Sequence, residues 1–212
     1  LILCNSLLNK KKEKEYIELL RASQVDGIIM GSHTMKVEDY LAIKLPIVTL
    51  DRRISDRIPY VSSDNYRGGA LATKLLIRKG CKKIAYLSGS LQLNLLAKQR
   101  HDAFMDQVKG KPVEYYVRQT DLNGFKYREY EPMVRKLFED HPDIDGVFAS
   151  SDLLALQVVR ESRRIGKSIP GELKIVGYDG IQLGGAEDLT TIEQPIQEMA
   201  RLAVGCLLQQ IS

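Results

Sequence analysis

Residues Ile144–Ser151 read IDGVFASS, and Asp152–Ile165 continue as DLLALQVVRESRRI up to Gly166. The first piece is a short apolar run between an Asp-Gly turn signal and two serines, the length of a buried strand. The second repeats its apolar residues at helical spacing. Ser151 supplies an N-cap for it, and Gly166 a residue that accepts a left-handed conformation past its end. A strand that is apolar at consecutive positions and leads at once into a helix marks a parallel sheet covered on both faces.

The same form stands at Val25–Ser32, VDGIIMGS. Each copy is followed by a second apolar strand that ends in a carboxylate, PIVTLD at Asp51 and LKIVGYD at Asp179. The spacings differ, so this is no tandem repeat. It reads as two similar α/β halves with a break near Gly80–Lys83. Strands are expected at Leu1–Cys4, Gly27–Met30, Ile47–Leu50, Lys83–Leu87, Val113–Val117, Gly146–Ala149 and Leu173–Gly177. Helices are expected over about 12–23, 36–43, 66–79, 97–109, 127–140, 152–165 and 196–210. Asp64 or Asn65 can cap the third of these, and Gly80 can follow its end.

In an open parallel sheet, ligands bind outside the carboxyl ends of the strands. Two lobes facing each other would pool Ser32, Asp51, Ser151, Asp152 and Asp179, a set of acceptors and hydroxyls suited to a neutral polyol. Taken singly, each of these residues is a helix cap before it is a ligand contact. Taken together, the two readings stand level.

Composition bounds the classes of function. The 212 residues suffice for one large domain or two lobes, and a hydrophobic fraction of 44% with 27% charged is ordinary for a globular chain. No apolar run approaches the roughly 20 residues of a membrane span. The net charge of +4 argues neither for nor against nucleic acid. Lys10–Lys14 (KKKEK) reads as a solvated helix face. Cys4, Cys81 and Cys206 form no CxxC pair and have no histidine at ligand spacing, so neither a disulfide framework nor a metal site is expected, and a reducing cytoplasm is the simplest setting. The chain begins at Leu1 and enters a strand-like run at once, which reads as a fragment.

Catalytic patterns are not found. His33, His101 and His141 are scattered, and no GxSxG, GxxxxGK[ST] or HExxH occurs. The pairs Gly68–Gly69 and Gly184–Gly185 lack the strand–turn–helix context of a dinucleotide site. Asp51 and Asp179 could serve as paired carboxylates in a sugar-cleaving enzyme, but spacing alone does not bring them together. No enzyme activity and no cofactor is expected.

Several stretches taken jointly carry a more specific signal: VDGIIM, IPYVSSDNYRGGALATKLLIRKGCKKIAYLSG, RHDAF, HPDIDGVFASSDLLAL, SIPGELKIVGYDG and LTTIEQPIQEMARLAV. In order and spacing, from about Val25 to Leu208, they resemble the effector-binding core of the lactose-repressor (LacI/GalR) family of bacterial transcription regulators. The resemblance implies a periplasmic-binding-protein-like fold: two α/β lobes of parallel sheets flanked by helices. The first lobe would comprise 1–80 plus 195–212, the second 81–194. The family's helix-turn-helix headpiece, and the first strand and helix of its core, are absent from this chain. Operator DNA would therefore be met only through that missing headpiece, since operator binding draws on phosphate neutralisation.

The resemblance also implies effector contacts. Arg100 in RHDAF matches an arginine that grips ligand oxygens. Asp179 matches the carboxylate of GYDG, and Ser151 with Asp152 the step after VFAS. Phe125 falls where an aromatic ring stacks on the ligand, although core packing explains it nearly as well. Asp51, Gln194, Ser32 and Asn94 complete the set. Ser151 stands in place of the usual Asn, Ala103 in place of a common Gly, and Gly180 in place of a frequent second Asp. The lost amide removes two donors and an acceptor, which bears on effector identity more than on the fold. Arg52, Arg53 and Arg57 read as solvated loop charge or as an anion-binding cluster.

The expected function is ligand sensing for a repressor of this type. A small effector, a sugar or sugar phosphate, would shift the population of lobe arrangements and hence operator binding, in a cytoplasmic homodimer. The alternatives are a secreted sugar-binding protein of a transporter, an enzyme built on Asp51 and Asp179, and a regulator answering to a protein co-repressor.

Overall fold

The structure is a computed structural model that describes residues 1–31, 34–91, 96–120, 130–186 and 188–211. In chain order the first elements are α1 (Lys10–Ala22), β1 (Ile28–Met30), α2 (Val37–Leu41), β2 (Ile47–Leu50), β3 (Tyr60–Val61), α3 (Asn65–Arg78), β4 (Lys83–Ser88) and α4 (Lys98–Val108). They continue as β5 (Glu114–Gln119), α5 (Glu131–Asp140), β6 (Gly146–Ala149), α6 (Asp152–Arg164), β7 (Lys174–Asp179), α7 (Gln182–Ala186), β8 (Thr191–Glu193) and α8 (Ile196–Ile211). Every strand pair is parallel, as the consecutive apolar runs require. No helix among the described residues is long and apolar enough to cross a membrane.

The chain divides into two compact units, Leu1–Ser63 with Pro195–Ser212, and Asp64–Gln194. The sequence expectation put the boundary after residue 80. The difference is α3, which packs on α4 and β7 inside the second unit. Two glycines account for it. A Cβ on Gly69 would lie 2.6 Å from the Arg100 carbonyl oxygen, and one on Gly68 would lie 2.5 Å from the Tyr178 hydroxyl. Only glycine lets this helix come so close to α4 and β7.

In the first unit the strand order is β1-β2-β3. Ile28, Met30 and Ile47 pack with Ile17 and Tyr40, while Val48 and Val61 pack with Met199 and Ala203 of α8. Asn9 caps α1, its side chain accepting from the Lys12 amide at 3.0 Å. Leu1–Cys4, expected as a strand, forms none: Leu1 and Leu3 are exposed, and β1 pairs only with β2. A cavity of about 740 Å³ is lined by Leu1–Cys4 on one hand and β1 and Leu207 on the other.

In the second unit the order is β5-β4-β6-β7-β8. Alternate residues divide between two cores, because successive side chains leave a strand on opposite faces. Ile84, Tyr86, Phe148, Val176 and Tyr178 meet Leu76 of α3 and Phe104 of α4. Ala85, Leu87, Val147, Ala149 and Ile175 meet Val134 and Leu137 of α5 and Leu154 and Val158 of α6. Both faces are buried, which is why these strands are apolar throughout. β7 runs on through Tyr178 and Asp179, past the expected end at Gly177, because β8 pairs with both residues. The short β3, β8 and α7 were not expected from the sequence.

Candidate functional site

The chain runs from β4 to β5 on one side and then returns to β6 on the other side of β4, so the order of connection, with all strands parallel, reverses between β4 and β6. Ligands bind outside the strand carboxyl ends at such a point. The polar groups collected there begin with α3 and α4. Gly69 allows the two helices to touch, and Asn65, one turn earlier on the same face of α3, then reaches Arg100. Asn65 is fully buried, and its Oδ1 accepts from Arg100 Nε at 2.7 Å.

Arg100 is 6% exposed. Its Nη1 donates to the Ser150 carbonyl oxygen, just beyond β6, at 2.6 Å, and lies 3.7 Å from Asp179 Oδ1 at the end of β7. Its guanidinium carbon stands 3.5 Å from the centre of the Tyr178 ring, a cation–π contact for which Gly68 makes the room. A buried cation is tolerated only when it is paired and hydrogen-bonded, and three elements converge to do this. The neighbouring Tyr86 phenol is pushed well above its usual range by burial, with the positive charge of Arg100 pulling it the other way.

Asp179 is held differently. Its carboxylate is partly exposed, and Oδ1 accepts from Gln194 Nε2 at 2.8 Å. Its φ is +115°, a conformation that an L side chain rarely adopts. Backbone strain of this kind collects at functional sites. Arg100, Asp179 and Gln194, three of the residues named from the sequence, are thus brought together. The guanidinium has spare N–H donors, and beside it lies a half-exposed carboxylate, so the cluster can donate to one hydroxyl and accept from the next on a polyol.

Two other named residues take structural roles. Asp152 is fully buried and faces the chain, not an open surface. Its Oδ2 accepts from the Gly180 and Ile181 amides at 2.8 and 2.9 Å, and its Oδ1 from the Thr191 hydroxyl at 2.6 Å. It clamps the turn that carries Asp179, and a Cβ on Gly177 would lie 2.2 Å from its Oδ1. This carboxylate, named from the sequence as an effector contact, is thus engaged by the chain itself. Ser151 is the N-cap of α6, its Oγ accepting from the Leu154 amide at 3.3 Å. Asp51, in the first unit, has φ of +51° and accepts from the Ser62 hydroxyl at 2.9 Å. Next to it, burial lowers the affinity of Arg52 for its proton, against the pull of the Asp51 carboxylate. Ser32, Asn94 and Phe125 lie outside the described residues.

Sequence reasoning missed Asn65, Tyr178 and the two glycines as parts of the site. The signal was present in DNYRGG (Asp64–Gly69), where small residues at the start of a helix permit close backbone approach. From the sequence, Asn65 is a possible cap and Gly68–Gly69 a pair without dinucleotide context, and neither reading points to Arg100. A cavity of about 840 Å³ in the second unit lies elsewhere, between α3, α6 and the Lys167–Ile175 segment.

Two α/β units of parallel strands, with an arginine–carboxylate cluster at the strand carboxyl ends of one, define a class. The chain belongs to the periplasmic binding protein-like domain family, which matches residues 73–212. Within that class, the resemblance to LacI/GalR regulators is borne out. The ribose operon repressor of Halalkalibacterium halodurans is 37% identical over 212 residues, covering 99% of this chain and 63% of the relative. The sucrose operon repressor of Streptococcus mutans is 37% identical over 214 residues, covering 99% and 64%. The chain thus spans less than two-thirds of the length of these relatives. A solved periplasmic binding protein/LacI transcriptional regulator of Alkaliphilus metalliredigens, in complex with D-xylulofuranose, superposes with a TM-score of 0.88 at 32% identity, covering 99% of this chain and 78% of that one.

Proposed function

We propose that this chain is the ligand-sensing core of a LacI-type transcriptional repressor and that it takes a sugar or sugar phosphate as effector. The observation that carries the reading is the Arg100–Asp179 pair: a buried guanidinium beside a strained, partly exposed carboxylate at the carboxyl end of β7. Arg100 donates to ligand oxygens, and Asp179, oriented by Gln194, accepts from a neighbouring hydroxyl. Hydrogen bonds to charged groups out of bulk water are the stronger kind, about 1.5–3 kcal/mol each. Binding to one arrangement of the protein in preference to another would pass to operator DNA through a headpiece outside this chain, in a cytoplasmic homodimer. The relatives' names, ribose and sucrose operon repressors, support a regulator over a transporter component. They support binding without turnover in the same way.

A thermal-shift series with D-ribose, sucrose, D-xylulose and D-ribose 5-phosphate tests the proposal. A ligand at about 100 times its Kd adds about 2.7 kcal/mol of stability, which appears as a rise in Tm. No shift with any of the four would contradict the reading.

A further inference from the structure

An arginine can hold a ligand with two parallel bonds along its side, through Nε and Nη2, or at its end, through Nη1 and Nη2. In Arg100 the side is already taken. Nε donates to Asn65 Oδ1 at 2.7 Å, and Nη1 donates to the Ser150 carbonyl oxygen at 2.6 Å. Nη2 takes part in no hydrogen bond among the described residues. Nε can only donate, so the carboxamide atom of Asn65 that faces it is the oxygen. Asp179 Oδ1, 3.7 Å from Nη1, already offsets the charge.

We propose that Asn65 is the positioning residue that sets the ligand class of this site. By holding Nε it leaves Arg100 to meet the ligand through Nη2, which suits the hydroxyl oxygens of a neutral sugar and withholds the side-on fork from carboxylates and phosphates. The proposal rests on the sugar-site reading of Arg100 and narrows it to uncharged groups at that point of the site. The fold supports the arrangement. Asn65 is the first residue of α3 and fully buried, and Gly69, one turn on, brings the helix against the Arg100 backbone. Thr73, a further turn on and buried, is satisfied within α3 by donating to the Gly69 carbonyl oxygen at 2.8 Å.

NMR of the chain carrying ¹⁵N-labelled arginine tests this without a sugar. The Arg100 Nε–H signal is identified by its loss in Arg100→Lys. It is expected to exchange with water at least about tenfold faster in Asn65→Ala than in the unaltered chain, the ratio that one lost charge-assisted hydrogen bond supplies. Asn65→Asp keeps an acceptor oxygen in place and restores slow exchange, which a merely structural role would not require. If Asn65→Ala does not fold, Asn65→Ser, whose hydroxyl is too short to reach Nε, replaces it with the same expected outcome. Inorganic phosphate then reads the ligand class: it leaves the Nε–H signal of the unaltered chain in place and moves that of the variant. Equal exchange in a folded variant overturns the positioning role. A phosphate shift in the unaltered chain, or none in the variant, overturns the ligand class. The sugar-site reading itself is decided by the thermal shifts, so the two failures are told apart.

Discussion

Asp51 directly follows β2 in the first unit, and Asp179 is the last residue of β7 in the second. Each has a positive φ, +51° and +115°, and each carboxylate accepts a side-chain hydrogen bond, from Ser62 and from Gln194. From the sequence the two were equivalent. They differ in what surrounds them. Asp179 lies beside a buried guanidinium that α3, α4 and the end of β6 have assembled, and the turn that follows it is clamped by Asp152. Asp51 has the Ser62 hydroxyl and the neighbouring Arg52. A strand end supplies the position for a functional carboxylate; the helices packed behind it supply the partner.

The comparison can be broken most directly at the partner. Arg100→Met removes the donor of the site, and each hydrogen bond lost from a charged group costs about 1.5–3 kcal/mol of binding. Calorimetric titration with the sugar that shifts Tm should show Kd weakened by about 30-fold or more, on the scale of a factor of ten per 1.4 kcal/mol.

The next effect is on stability. Asp152→Ala leaves two amides and a hydroxyl in the second unit without their acceptor, each unsatisfied group costing about 1–3 kcal/mol if it stays dry. Urea unfolding should show a loss of about 3 kcal/mol with rearrangement allowed for, and a loss below about 1 kcal/mol would return Asp152 to the surface.

Strain sharpens the comparison further. At an ordinary position glycine is less stable than alanine. At φ of +115° the order should reverse, so Asp179→Gly is expected to be more stable than Asp179→Ala by about 1–3 kcal/mol. The same pair at Asp51 should differ by about 1 kcal/mol, since the left-handed region there is more accessible to L residues. Thermal melts of the four variants decide it, and equal Tm values within each pair would remove strain from the account.

The smallest effect concerns acid. The bidentate Arg164 guanidinium holds the buried Glu161 carboxyl below the usual glutamate range. Its contribution is present above the unfolded value of about 4.3 and is lost as pH falls through the lower folded value. Glu161→Gln should therefore narrow the stability difference between pH 6 and pH 3, as read by urea midpoints. An unchanged difference would assign the acid limb to other groups.

The fold was largely legible, because it rests on short-range signals. IDGVFASS and VDGIIMGS showed buried parallel strands, and Ser151 and Gly166 bounded a helix. What was not legible depended on partners far along the chain. β8 is a strand only because β7 offers it an edge, and Leu1–Cys4, exposed at Leu1 and Leu3, pairs with no strand among the described residues. α3 changes unit because two glycines admit Arg100 and Tyr178, residues distant in sequence. The site divided in the same way. The family motif pointed to Arg100, Asp179 and Gln194. It could not separate Asp152, turned inward as a clamp, from Asp179, turned outward under strain, since both are aspartates at a strand–helix junction. Asn65 was read as a possible cap, and only the α3–α4 contact gives it a guanidinium to hold.

The central claim is that the Arg100–Asp179 pair binds the effector. The direct measurement is titration calorimetry of the unaltered chain, Asp179→Ala and Asp51→Ala with whichever of D-ribose, sucrose, D-xylulose and D-ribose 5-phosphate raises Tm. The account predicts that Asp179→Ala weakens binding by about 100-fold, two hydrogen bonds of ordinary net strength, and that the loss in Asp51→Ala is smaller. An Asp179→Ala variant that is folded and binds that sugar as tightly as the unaltered chain would contradict it.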